Sequence, residues 1–105
     1  MSYQVLIQPS AFQDIELVYR WICDNVSAEV ANSWYYELQD AIGSLQNFPY
    51  RCSRAPEADA VGLEIRQLWV GKRRQYRVLF LVEQDVVAIV HVRHSRQALL
   101  EGDES

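Results

Sequence analysis

The sequence predicts one α+β domain over residues 1–105, with its elements in the order β-α-α-β-β-β. Apolar residues recur at helical spacing through the first half, whereas β-branched and aromatic residues dominate three runs in the second half. Half of the residues are apolar, which is enough for one hydrophobic core in a chain of this length. Glycine and proline are few, so the composition is not that of a disordered chain.

The first half contains a short strand followed by two helices. Residues 3–8 have the composition of a strand, and Ser10 is expected to cap a helix that ends near Asn25. Ser27 offers a second N-cap, for a helix that ends near Asn47. Because only one or two residues join the helices, they are expected to form an antiparallel helical hairpin.

The second half begins with a loop and continues as three strands. The loop covers residues 50–62 and shows no apolar periodicity. The strands are expected at residues 63–70, 75–83 and 86–93, separated by a Gly-Lys-Arg-Arg turn and a Gln-Asp turn. Residues 97–105 form a short acidic tail.

Positive charge is concentrated in the second half of the chain. Residues 1–50 carry six acids and one base, residues 51–96 carry nine bases and five acids, and residues 97–105 carry three acids and no base. A local patch of charge steers a ligand more strongly than the sum over the chain does. Nucleic acid therefore stays among the candidate partners despite a net charge of −4.

The sequence shows no targeting segment, and no stretch approaches the ~18 apolar residues of a membrane span. We therefore expect a cytoplasmic protein that does not bind membranes. Cys23 and Cys52 stand alone, without metal-ligand spacing, and are expected to be free thiols. Neither a metal nor another cofactor is expected.

Each of the three strands contains one arginine that shares a face of its strand with apolar residues, because side chains alternate between the two faces. These residues are Arg66, Arg77 and Arg93, and if their faces coincide the sheet presents three guanidinium groups together. His91, within an apolar run, is interpreted as a hydrogen-bonded sheet histidine. Further basic residues in loops and at strand ends could surround the three arginines: Arg51, Arg54, Lys72, Arg73, Arg74, His94 and Arg96.

Five stretches, in order along the chain, resemble the motifs of one protein family. They are residues 9–15, a strand-to-helix start; 34–49, a helix ending in Phe-Pro; 64–68 and 76–80, an "R.L" and a "YRVLF" strand; and 89–94, a closing strand. These motifs are similar to those of the RelE/ParE superfamily, the toxins of bacterial type II toxin–antitoxin systems. The resemblance implies a twisted antiparallel sheet with the helical hairpin packed on one face.

The resemblance also implies two different activities. RelE-like members are ribosome-dependent endoribonucleases that cleave mRNA, whereas ParE-like members bind DNA gyrase and trap its cleaved-DNA state. Members of both kinds are held inactive by a cognate antitoxin. We favour a metal-independent mRNA endoribonuclease that inhibits translation and arrests growth. The alternatives are a gyrase inhibitor and an inactive module that only binds the antitoxin.

Under the nuclease interpretation, the resemblance makes Arg77, Arg93 and His94 the candidate catalytic residues. A guanidinium group stabilises charge on the transferring phosphate, and a histidine donates or accepts a proton. The C-terminal tyrosine and the lysine pair of some relatives have no counterpart here, so a gyrase inhibitor, which needs no catalytic residues, stays open. The candidate nucleic-acid-binding residues are Arg51, Arg54, Arg66, Arg73, Arg74 and Arg96.

Overall fold

A computed structural model describes residues 2–96 as a four-stranded sheet with two long helices on one face and one short helix on the other. The elements are β1 (Gln4–Ile7), α1 (Pro9–Asn25), α2 (Ala28–Gly43), α3 (Glu57–Val61), β2 (Arg66–Val70), β3 (Tyr76–Glu83) and β4 (Val86–His94). Short 3₁₀ turns occupy Ser44–Gln46, Pro49–Arg51 and Lys72–Arg74. The predicted acidic tail lies outside the described residues.

The predicted α+β class, the element order and the helical hairpin are confirmed, but the sheet is not wholly antiparallel. The strand order is β1-β4-β3-β2, and β1 runs parallel to β4 with Gln4 opposite Val86. The β2–β3 and β3–β4 pairs are antiparallel, as expected. A parallel pair needs a long connection, which the intervening elements supply between β1 and β4.

The start of α1 differs from the prediction because Pro9, and not Ser10, opens the helix. Gln8 occupies the N-cap position without a side-chain hydrogen bond, and the fixed φ of proline suits the first helical turn. The predicted cap at Ser27 is confirmed, since its hydroxyl accepts from Val30 N at 3.1 Å. Helix α2 ends at Gly43, and the predicted continuation toward Asn47 is a 3₁₀ turn.

Helix α1 also completes the edge of β4 beyond the point where β1 ends. The Ser10 hydroxyl donates to the Val90 carbonyl at 2.6 Å. One carboxylate oxygen of Asp14 accepts from the Val92 amide at 2.9 Å. Two helix side chains therefore satisfy backbone groups that a neighbouring strand would otherwise pair.

The hydrophobic core has two parts, one on each face of the sheet. The larger part joins the helical hairpin to the sheet through fully buried residues such as Leu38 and Phe80. The smaller part joins α3 to the other face through Ala58 and Leu79. The predicted loop at residues 50–62 is therefore partly wrong, because it contains α3, which is too short to show a helical repeat.

Candidate functional site

Arg77 lies on the face of the sheet that α3 covers, and the residue is only 3% exposed. Both terminal nitrogens donate to the carboxylate of Glu57, which is 1% exposed and begins α3. Arg77 Nη1 also donates to Gln67 Oε1 at 3.1 Å. A bidentate carboxylate neutralises the guanidinium charge and fixes its plane, so this arginine is bound within the protein.

The three strand arginines do not share one face of the sheet. Arg93 lies opposite Arg77 in the β3–β4 register and is half-buried on the same face. Arg66 lies opposite Phe80, so its side chain is directed to the face that carries the helical hairpin. The expectation of three clustered guanidinium groups is therefore wrong for Arg66, because strand register and not local alternation decides which faces coincide.

A β-bulge also changes the face of the sheet on which the side chains of β4 lie. Leu79 lies opposite His91, whereas the next residue of β3, Phe80, lies opposite Ile89. Val90 lies between Ile89 and His91 of β4 and has no partner on β3. The alternation of side chains between the two faces of the sheet therefore changes phase at Val90.

Three other predicted nucleic-acid-binding arginines make contacts within the chain. Arg66 donates to the Cys52 carbonyl at 2.7 Å and lies 4.8 Å from the centre of the Tyr50 ring. Arg51 donates to the carbonyl oxygens of Ser44 and Asn47, at 3.4 and 2.8 Å. Arg54 forms ion pairs with two acidic side chains, and its hydrogen bonds to them raise the pKa of the guanidinium.

Most of the remaining predicted residues meet at one end of the sheet. This basic end consists of Lys72, Arg73, Arg74, His94 and Arg96, brought together by a hydrogen bond from Ser95 N to Gln75 O at 2.7 Å. Arg73 and Arg74 have positive φ values of 60° and 54°, in the left-handed region. The ion pairs found within residues 2–96 include none of the side chains of Lys72, Arg73, Arg74 and Arg96.

His94 is the candidate proton-transfer residue of the basic end. Its Nδ1 accepts from Arg96 N at 3.0 Å, so in the neutral ring Nε2 carries the proton. Its ring packs edge-on against Tyr76, with 5.1 Å between the ring centres. Burial raises the pKa of the Tyr76 hydroxyl, so this tyrosine stays protonated at neutral pH.

An apolar groove that was not predicted from the sequence adjoins the basic end. This hairpin groove is lined by Leu17, Val18, Trp21, Tyr76 and His94. The Trp21 side chain is 59% exposed, although it is large and apolar. The sequence does contain a signal for this groove. Leu17 and Trp21 are large apolar residues four positions apart, and they lie outside the row of α1 residues that enter the core.

His91 is confirmed as a hydrogen-bonded sheet histidine. Its Nδ1 lies 2.8 Å from Asp14 Oδ2, the same oxygen that accepts from the Val92 amide. The pair ties α1 to β4. Both cysteines are free, as expected, with Cys52 buried.

Within residues 2–96, no group of three or more His, Cys, Asp or Glu side chains is placed to hold a metal ion. The helices in this part of the chain are too short or too polar to cross a membrane.

Comparison with known proteins identifies the family. Residues 5–99 match the family model described as the ParE toxin of the type II toxin–antitoxin system, parDE. The chain also resembles a structure from the chromosomal ParDE toxin–antitoxin system of P. aeruginosa, with a TM-score of 0.71 and 15% identity over 89% of this chain and 96% of that chain. A structure from the RelBE2 toxin–antitoxin complex of Mycobacterium tuberculosis gives a TM-score of 0.56 and 18% identity over 90% and 99% of the two chains.

A comparison with curated proteins by sequence finds no match. The two solved structures are too distant in sequence to show more than a shared fold. The family model, in contrast, spans nearly the whole chain. The chain therefore belongs to the ParE toxin family of type II toxin–antitoxin systems, within the RelE/ParE superfamily.

Proposed function

We propose that this toxin acts by binding DNA gyrase and not by cleaving mRNA. The observation that carries the proposal is the burial of Arg77, which is 3% exposed and whose guanidinium is bound by the Glu57 carboxylate. Arg77 is one of the arginines that the nuclease interpretation places at the transferring phosphate. A cation can stabilise that charge only if it reaches the phosphate oxygens.

The surroundings of Arg77 make its release costly. Breaking a buried ion pair leaves a buried carboxylate without its partner, which costs about 3–5 kcal/mol. Arg66 does not replace Arg77, because it lies on the opposite face of the sheet. Binding to a protein target needs no assembled catalytic cations, and the family match to ParE toxins also supports this mode.

The same proposal includes a cognate antitoxin that binds and neutralises the chain in the cytoplasm. Both structural neighbours come from toxin–antitoxin systems. The hairpin groove offers an exposed Trp21 and Leu17 beside the basic side chains of the basic end. An amphipathic acidic segment has the apolar face and the charge that this surface would bind.

A ribosome-dependent mRNA endoribonuclease is the second candidate, and one observation favours it. His94 lies at the surface beside Arg96 and the Lys72–Arg74 turn, where RNA could reach a titratable ring and several cations together. In that mechanism Arg93 and His94 would act without a contribution from Arg77 to the phosphate.

Purified gyrase separates the two candidates. We expect the protein to inhibit supercoiling and to trap cleaved plasmid DNA, while primer extension on mRNA from arrested cells shows no cuts within translated codons. Unaffected supercoiling together with cuts at codon positions would overturn the gyrase proposal. Growth arrest in the cells that supply the mRNA shows that the expressed protein is active, so an absence of cuts does not reflect inactive protein.

A further inference from the structure

A second surface lies at the other end of the sheet from the basic end, where α2 gives way to the 3₁₀ turns. It is the aromatic–arginine patch, defined by Tyr3, Phe48, Tyr50, Arg51 and Arg66. Phe48 is 79% exposed and Tyr50 is 55% exposed. The first four of these residues line one cavity of about 490 Å³, a size within the usual range for ligand pockets.

Phe48 is held in a backbone conformation that bulky residues avoid. Its φ of 53° and ψ of 55° lie in the left-handed region, where a glycine would fit without strain. The phenyl ring is exposed, so burial in the core does not offset that strain. A strained, exposed aromatic residue indicates a binding role for its side chain.

The patch is rigid because Arg51 ties the turn together. Its guanidinium donates to the carbonyl oxygens of Asn47 and Phe48 at 2.8 and 3.3 Å, and to the Ser44 hydroxyl at 2.8 Å. Tyr50 is fixed in turn, since it packs edge-on against Tyr3 with 6.5 Å between ring centres. The rings are therefore positioned before any ligand arrives.

The two arginines of the patch have polar partners without a negative charge among the described residues. Arg66 lies over one face of the Tyr50 ring at 4.8 Å and donates to the Cys52 carbonyl oxygen. Arg51 likewise donates to carbonyl and hydroxyl oxygens. Neither arginine takes part in the ion pairs found in the part of the chain that the structure describes.

From this arrangement we propose that the aromatic–arginine patch binds single-stranded nucleic acid. An unpaired base stacks on the exposed ring of Phe48 or Tyr50, and the adjacent phosphate contacts the remaining N–H groups of Arg51 and Arg66. Flat rings beside uncompensated cations match a nucleotide, which combines an aromatic base with an anion. An amphipathic acidic peptide is the other occupant that such a surface could take, so binding of the antitoxin is one of the outcomes of the test.

The proposal goes beyond gyrase binding and does not depend on it. The patch and the basic end lie at opposite ends of β2 and β3, since Arg66 pairs with Phe80 while Val70 pairs with Tyr76. A contact with nucleic acid at the patch can therefore be measured without gyrase, the ribosome or the antitoxin.

The test is fluorescence anisotropy with labelled single-stranded DNA and RNA pyrimidine oligonucleotides of about 12 nucleotides, titrated with the purified full chain. We expect Phe48→Gly and Tyr50→Ala each to weaken binding roughly 10-fold, the effect of losing one base–aromatic stack. Tyr36→Ala is the matched control, because Tyr36 is 67% exposed on α2 and outside the patch. Its affinity should equal that of the unchanged protein.

Thermal denaturation separates lost contacts from lost folding. Phe48→Gly relieves the left-handed strain, so its Tm should not fall although its affinity for the oligonucleotide falls. The two oligonucleotides show whether DNA or RNA is preferred, and either preference supports the patch.

Three outcomes would overturn the proposal. One is the absence of binding to both oligonucleotides. Another is binding that survives Phe48→Gly and Tyr50→Ala but is lost on changing the Lys72–Arg74 turn. The third is a variant patch that fails to bind the cognate antitoxin while oligonucleotide binding is unchanged, which would make the surface a protein interface.

Discussion

At the scale of single residues, the Glu57–Arg77 pair shows how context decides the role of an arginine. Removing either partner leaves a buried charge without compensation, so Arg77→Ala should lower the free energy of unfolding by about 3–5 kcal/mol. Chemical denaturation measures this change. The double variant Glu57→Gln/Arg77→Met should cost clearly less than the two single changes added together, because no unpaired charge remains. A cost below about 1 kcal/mol for Arg77→Ala would mean that the pair is open to water in solution.

The buried thiol supplies a second prediction at this scale. Burial raises the pKa of Cys52, and the nearby Arg51 and Arg66 offset only part of that rise. A raised pKa leaves less thiolate at a given pH, so iodoacetamide should modify Cys52 more slowly than a free cysteine at pH ~8, and faster as the pH rises. Peptide mapping by mass spectrometry reads the two cysteines separately. Equal modification of Cys52 and a model thiol would contradict the assignment.

At the scale of elements, two glycines separate backbone strain from side-chain space. An added Cβ meets nothing within 4 Å at Gly43 or at Gly62. Gly43 has a helical φ of −61°, so Gly43→Ala should stabilise the chain by about 0.4–1 kcal/mol. Gly62 ends α3 with a φ of 74°, so Gly62→Ala should destabilise it by about 1 kcal/mol. Equal effects in urea denaturation would refute the conformational explanation.

Much of the element pattern follows from the sequence, because local spacing determines it. Helices α1 and α2 repeat apolar residues over several turns, and β3 and β4 are rich in β-branched or aromatic residues. Helix α3 has five residues, too few for a repeat to appear. Its stability comes from the packing of Ala58 and the pairing of Glu57, which are tertiary contacts that a local pattern does not contain.

The candidate site was harder to predict than the fold, for a related reason. Alternation within a strand shows which residues of the same strand share a face with each arginine. The common face depends on register, and register places Arg66 opposite Phe80 while a bulge shifts β4 at Val90. Charge counts also cannot show that Arg51 and Arg54 are bound by groups of the chain itself.

At the scale of the whole molecule, two surfaces at opposite ends of the sheet carry basic side chains that take no part in the ion pairs found within residues 2–96. The basic end collects the Lys72–Arg74 turn and Arg96 beside the hairpin groove, whereas Arg51 and Arg66 lie among aromatic rings at the opposite end. The acidic residues of the first half leave the net charge at −4. Local fields therefore give this acidic protein two surfaces that attract anions.

The basic end supplies the prediction that distinguishes the two modes of toxicity in cells. Gyrase binding needs no proton transfer, so His94→Gln should still arrest growth, and a glutamine oxygen can replace Nδ1 as the acceptor of Arg96 N. General acid–base catalysis contributes about 10²–10⁴-fold to a rate, so the same substitution in a nuclease would abolish arrest. Colony formation under induced expression measures the outcome, with Tyr36→Ala as the control for an unrelated exposed ring. Loss of arrest in His94→Gln alone, with normal protein levels and loss of mRNA cuts, would transfer the assignment to the nuclease.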